Sequence, residues 1–319
     1  MRRAVICLIL LLAAPAAAQD AYLLVGNKGG DTLSFIDLET GREVSRRPVS
    51  AAAPHEIAVS PDGRQAAVVH YGAESLDIFD VASRDIVRTI DLPEGARPHG
   101  IAWLPDNRIV ATAEGVDSVV VVDGTSVSTI PTGEQGTHML AVHPDGRRLY
   151  LANMQSASVS LVDLTEGIVV HSVPVGTEPE GVAVIGGEVW VSDRGGDRVF
   201  VLDADTLAVL AEIAVGAFPI RIIASPDGRW AVTSNLRDGT VSVIDTATRE
   251  VTRTLRVSGS EGAQQVTLLF SPDGERLYVA ETAMNKIAEI DFASGELLGR
   301  LSGGSAGDGL AIVTLPSSP

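Results

Sequence analysis

HEIAVSPDGRQAAVVHYGAESLDIFDVASRDIVRTIDL, residues 55–92, holds one complete unit of a repeat. His55 to Ser60 is a short apolar run, here strand A of the unit. Pro61-Asp62-Gly63 then turns the chain. Proline fixes φ, and glycine supplies the left-handed residue that a tight turn needs. Gln65–His70 reads as strand B, Ser75–Asp80 as strand C and Ile86–Leu92 as strand D. Four short strands joined by tight turns make one blade of a β-propeller.

The unit recurs along the chain. An apolar strand C runs into an aspartate at Asp37, Asp80, Asp123, Asp163, Asp203, Asp245 and Asp291, with gaps of 43, 43, 40, 40, 42 and 46 by subtraction. Repeats of roughly 40 to 50 residues built of short strands signal a propeller. The turn returns as Pro144-Asp145-Gly146, Pro226-Asp227-Gly228 and Pro272-Asp273-Gly274, and degrades to Pro105-Asp106-Asn107 and Ile185-Gly186-Gly187. Strand A is a near-continuous apolar run (Ile57-Ala58-Val59, Leu140-Ala141-Val142), which predicts burial on both faces. The seven aspartates are expected to hold the C-to-D turns by bonding their own backbone.

The ends predict closure. The repeats begin at a strand B, Tyr22 to Asn27, and finish on Gly309 to Val313, which has strand A character. The expected fold is an all-β, seven-bladed β-propeller with four-stranded blades, closed by the C-terminal strand joining the N-terminal blade. Closure hides sheet edges that would otherwise pair with other chains. Residues 1–18 are expected to be a signal peptide and 19–319 the propeller: Arg2 and Arg3 start a short apolar run that ends at Ala16-Ala17-Ala18. Such a leader implies a periplasmic or secreted protein, and the run is too short for a membrane helix. Cys7 is the one cysteine, so disulfides play no part after the leader is removed.

Removing the leader's two arginines leaves 24 − 2 = 22 basic residues against 41 acidic ones, a formal charge of −19. That field argues against nucleic acid and anionic membranes as partners. The expected partner is a small-molecule ligand or a periplasmic protein, with no membrane insertion of the mature chain.

Arg148-Leu149-Tyr150-Leu151-Ala152-Asn153, Val159-Ser160-Leu161-Val162-Asp163, Arg276-Leu277-Tyr278-Val279-Ala280-Glu281 and Val241-Ser242-Val243-Ile244-Asp245-Thr246, with the Ser-Pro-Asp-Gly turns, resemble the YVTN family of β-propeller repeat proteins. The chain is also similar to the periplasmic propellers associated with quinoprotein-dependent alcohol catabolism. The resemblance implies a secreted or periplasmic propeller and no single activity.

Strand direction alternates across a blade, so the D-to-A and B-to-C loops share one face. The residues just before strand A align as His55, His99, His138, Glu180, Ile220, Val266 and Asp308. Three of the six histidines fall on this ring, on consecutive blades. Ringing the channel mouth, three imidazoles and a carboxylate form a plausible set for a divalent transition metal. His55, His99, His138 and Glu180 are the candidate ligands, with Glu180 alternatively a general base, and Arg221 and Asp308 the candidate ligand-binding residues. The competing explanation is a Pro-His start copied between blades. The B-to-C loops add Asn27, His70, Glu114, Asn153, Asp193, Asn235 and Glu281, read mainly as turn residues; Arg194 and Arg221 read as anion contacts or as salt-bridged surface residues. There is no Cys-x-x-Cys-His, and no haem is expected. Two functions remain open: a propeller that binds a ligand or protein at the channel mouth, and a metal-dependent lactonase, lyase or oxidative cleavage enzyme.

Overall fold

The computed structural model describes residues 21–315, so the leader expected over residues 1–18 lies outside the described residues. Among the described residues, twenty-eight strands form seven four-stranded antiparallel sheets. The sheets follow one another as blades around a central axis, numbered here in chain order. Gly307–Thr314 pairs antiparallel with Ala21–Asn27, so the last strand is the innermost strand of blade 1. The seven-bladed propeller and its closure stand as read from the repeat.

Burial falls into layers. Strands B and C are nearly sealed, as in Gln65–His70 and Ser75–Asp80, because each lies between its own sheet neighbours and the faces of adjacent blades. Strand D alternates with solvent: Arg42–Pro48 exposes every second residue. Strand A departs from the expectation of burial on both faces. In Pro98–Trp103 the first three residues are buried, and Ile101, Ala102 and Trp103 are half-buried. The first half of strand A packs under the mouth, and the second half faces the channel.

The regular turns are structural. Ser60 Oγ donates to Asp62 Oδ1 (2.7 Å) and accepts from Gln65 N (2.9 Å), with Gly63 at φ 71°. Asp37 Oδ1 accepts from both the amide and the hydroxyl of Thr40, each at 2.7 Å. Asp163, Asp203, Asp245 and Asp291 accept from turn amides in the same way.

The ring residues are positioned by two devices that repeat around the axis. Each innermost strand breaks register at its ring residue, for example between Pro54 and Ile57, Pro98 and Ile101, and Pro179 and Val182. The other four blades break at the same place. A bulge re-aims a side chain out of the pleat. Two residues earlier the backbone is left-handed in six blades: Ala53, Arg97, Gly136, Phe218, Gln264 and Ala306 have φ between 44° and 69°. A carboxylate or amide from the preceding blade clamps four of these amides: Asp31 holds Ala53, Asp117 holds Gly136, Asp197 holds Phe218 and Asn285 holds Ala306, at 2.7–2.8 Å. Left-handed non-glycine residues cost about 1–2 kcal/mol each. The clamps offset part of that cost and link each D-to-A loop to the neighbouring blade.

Closure brings backbones into contact at the ring. A Cβ on Gly309 would meet His55 O at 1.9 Å, so only glycine fits between blades 1 and 2. Gly309→Ala is expected to lower stability in urea by about 1–3 kcal/mol, through overpacking against a backbone that cannot retreat. Wild-type stability in that variant would show that the two strands are not held this close in solution.

Candidate functional site

The structure gathers the sequence-derived ring residues at one end of the channel and buries them. His55, His99, His138, Glu180, Arg221 and Asp308 are each at most 7% exposed. They come from six different blades, and the bulges aim them inward.

The three imidazoles stack. Ring centroids lie 4.0 Å apart for His55 and His99, and 3.6 Å apart for His99 and His138. Tyr71 closes the outer side at 5.5 Å from both His55 and His99. Their partners differ. His138 Nδ1 bonds Glu114 Oε2 at 2.8 Å, and its Nε2 lies 3.6 Å from Glu180 Oε1, an ion-pair contact rather than a hydrogen bond. His55 Nε2 faces Asp308 Oδ2 at 3.4 Å and Lys28 Nζ at 3.5 Å. His99 makes no hydrogen bond among the described residues, and its Nδ1 is both buried and unpaired.

A charge network holds this stack. The Arg221 guanidinium, from blade 6, bonds Glu180 of blade 5 at 2.7 Å and reaches across the channel to Glu56 of blade 2 at 2.9 Å. Arg194 adds a second bond to Glu180 at 2.7 Å. Lys28 bonds Asp308 at 2.6 Å, and Thr267 donates to the other Asp308 oxygen at 3.1 Å. Counting Arg97, which reaches Glu114 only through the Tyr71 hydroxyl, four cations (Lys28, Arg97, Arg194, Arg221) stand with four carboxylates (Glu56, Glu114, Glu180, Asp308) in a protein of large negative charge. The mouth is locally balanced, where the rest of the surface repels anions.

The protonation states follow. Burial and the nearby His138 and His55 hold His99 well below the usual histidine range, so it is neutral. Burial pulls His138 the same way, but Glu114 and Glu180 outweigh it and raise the imidazole. Burial alone would raise Glu180; His138 and Arg221 overcome it and bring the carboxyl down to about 2. Glu56 is lowered against its burial by Arg221 and His55, and Asp308 is lowered against its burial by His55 and Lys28.

The four-residue ligand set of His55, His99, His138 and Glu180 does not converge on one point. His138 and Glu180 face each other and are committed to Glu114, Arg221 and Arg194. The compact group is instead His55, Glu56 and His99, each offering an atom within 4.8 Å of the others. Arg221 is not the surface residue that one reading allowed: it is buried at the heart of the network. Of the B-to-C residues, Glu114 joins the site, whereas Asn27, Asn153 and Asn235 donate to Ser34, Ser160 and Ser242 on their own strand C. His70 and Asp77 take those two positions in blade 2 as a fully buried pair at 3.2 Å. Sequence reasoning missed Glu56, Lys28 and Tyr71. Glu56 carried a signal, because it stands one place after the ring, in register with Arg221.

A family model for the seven-bladed β-propeller lactonases matches residues 37–288. The chain belongs to that family. Among curated relatives it is 25% identical over 308 residues to the protein NirF of Stutzerimonas stutzeri, covering 88% of this chain and 77% of that one. It is 26% identical over 288 residues to NirF of Pseudomonas aeruginosa, covering 82% and 71%. Among solved structures, the dihydro-heme d1 dehydrogenase NirN in complex with DHE superposes with a TM-score of 0.67 at 17% identity, covering 91% of this chain and 74% of that one. A protein from Desulfotomaculum acetoxidans superposes with a TM-score of 0.77 at 15% identity, covering 92% and 98%. These two likenesses show the fold. The NirN complex also corrects the expectation of no haem: a haem d1-related enzyme has this architecture. Cys-x-x-Cys-His marks covalent attachment, so its absence excludes that mode alone. Among the described residues no helix is long and apolar enough to cross a membrane.

Because Glu180 is held below its ordinary 4.5, its contribution is complete above that pH and is lost as pH falls through about 2. Glu180→Gln is expected to cost about 3–5 kcal/mol at pH 7, by leaving Arg221 and Arg194 under-paired. The difference from wild type should shrink steadily between pH 4.5 and 2 in acid unfolding. A difference independent of pH would contradict the ionised pair.

Proposed function

We propose that this chain is a periplasmic or secreted propeller that binds a flat iron tetrapyrrole over its channel mouth, with His99 the imidazole offered to the iron. One observation carries the reading: a neutral, buried histidine with no hydrogen-bond partner, centred in a stack of three imidazoles. A buried polar nitrogen left unpaired costs about 1–3 kcal/mol unless something completes it. Neutral imidazole is the form that binds iron.

The residues present fit such a group. Arg221 spans the channel, so a ligand lies across the mouth instead of threading the pore. Tyr71, His55 and His99 supply a partly aromatic floor. The Lys28–Asp308 pair orients His55, and Glu114 with Glu180 favours the protonated form of His138. The bound group would supply iron redox and axial-ligand chemistry; the protein supplies position, fixed charge and exclusion of water from below. The relationship to NirN, solved with DHE, supports the ligand class, and the leader sequence supports the compartment.

A second reading rests on the His55, Glu56 and His99 group. Three ligand atoms this close suit a divalent metal that activates water, the metal-enzyme alternative, with Glu56 shared between the metal and Arg221. The family's description as lactonases is consistent with it.

Titration of the purified protein with ferric haemin separates the two readings. The tetrapyrrole reading predicts a saturable, one-to-one shift of the Soret band, weakened at least about tenfold in His99→Ala with an unchanged melting temperature. No saturable shift, together with one equivalent of tightly held metal lost in His99→Ala, would replace it with the metal reading.

A further inference from the structure

Two cation–aromatic pairs stand at the rim of the mouth, each tied to the network below by one member: Tyr71 donates to Glu114 at 3.3 Å and Arg194 bonds Glu180 at 2.7 Å, while Arg97 and Arg237 form no ion pair with it. In the first, the Arg97 guanidinium lies 4.5 Å from the centre of the Tyr71 ring and donates to the Tyr71 hydroxyl. In the second, two guanidiniums lie over the Phe218 ring, Arg237 at 4.4 Å and Arg194 at 5.2 Å from its centre. The pairs lie at the blade 2–3 and blade 5–6 junctions, three of seven blade steps apart and so nearly opposite across the mouth.

Repeat position strengthens the pairing. Arg97 and Phe218 occupy equivalent sites, the left-handed residue two places before the ring. Blades 1, 2 and 4 carry Ala306, Ala53 and Gly136 there. Blade 7 carries Gln264 there, so Arg97 and Phe218 are the two of the six left-handed positions that hold a guanidinium or an aromatic ring, and they stand on opposite sides of the mouth.

The charges differ in how far they are satisfied. Arg221 is buried and doubly paired inside the channel. Arg97 has no carboxylate within ion-pair distance among the described residues. Arg237 faces Glu261 only at 4.0 Å, with both side chains more than half exposed, a contact that solvent screens. A guanidinium held by an aromatic side chain still has N–H groups to offer a carboxylate: Arg97 spends one nitrogen on the Tyr71 hydroxyl and keeps the others.

Resting on the tetrapyrrole reading, we propose that Arg97 on Tyr71 and Arg237 on Phe218 are two carboxylate stations, and that the ligand is a flat molecule bearing carboxylates on opposite edges. Arg194, already committed to Glu180, acts as the second stacking plane for Phe218. The stations set which tetrapyrroles bind and how they are turned about the axis, separately from any bond to His99.

The test uses the full mature chain and three probes: iron-free protoporphyrin, ferric haemin and haemin dimethyl ester. Binding of the iron-free probe, read by fluorescence, is expected to weaken about tenfold in Arg97→Gln and again in Arg237→Gln, whereas His99→Ala is expected to weaken haemin binding about tenfold more than it weakens binding of the iron-free probe. The ester should bind wild type about as weakly as haemin binds the double arginine variant. Equal affinity of wild type for haemin and its ester, or wild-type affinity in both arginine variants, would overturn the stations while leaving axial ligation by His99 intact. Arginine-dependent binding of the iron-free probe without a His99 effect on haemin would keep the stations and overturn the axial role. Arg237 is exposed, so its variant reports binding even where Arg97→Gln disturbs the loop.

Discussion

The mouth of this propeller depends on one guanidinium. Arg221 takes a carboxylate from blade 5 and another from blade 2, so a single buried side chain ties opposite walls of the channel. A buried ion pair gains little net stability, because both partners lose water. What it supplies here is placement. With Arg221 fixed, Glu180 is fixed; with Glu180 fixed, His138 is held between two carboxylates; and the neighbouring His99 is left neutral and unpaired. The chemistry of the site follows from the order in which charges are satisfied around the ring.

The backbone makes that order possible. Seven bulges, one per innermost strand, turn the ring residue out of the pleat, and in six blades a left-handed residue before it sets the loop that leads into it. Clamps from Asp31, Asp117, Asp197 and Asn285 come from the preceding blade, so loop geometry at the mouth is a property of adjacent blades together. Strain of this kind persists where the surroundings over-determine it. A rigid seven-fold frame is such a surrounding, and the mouth is where its irregular residues collect.

Much of this was legible in the chain. The aspartates from Asp37 to Asp291 mark period and strand, and the Pro-Asp-Gly turns mark direction. Counting back from those turns reaches His55, His99, His138 and Glu180 without a structure. The partners were not legible. Arg221 and Glu56 are 165 residues apart and meet across a channel, a contact set by side-chain reach and by no period. Five of the six left-handed positions carry alanine, arginine, phenylalanine or glutamine, and only Gly136 is a glycine, so glycine does not mark them. The half-exposed ends of strand A escaped because a channel-facing alanine and a buried one read alike. The haem expectation failed for a chemical reason: the missing cysteine motif reports a thioether bond and is silent on ligands held by histidine and shape.

The propeller is thus a scaffold whose sevenfold part is plain, and the proposed function rests on departures from it: three imidazoles, one channel-spanning arginine and two arginine–aromatic pairs at the rim. The most direct measurement is pulsed electron paramagnetic resonance of the ferric haemin complex, prepared with ¹⁵N-labelled histidine. The account predicts a ¹⁵N coupling of axial strength that disappears in His99→Ala and survives in Arg237→Gln. A ferric signal with no histidine nitrogen coupling, or one unchanged in His99→Ala, would contradict it.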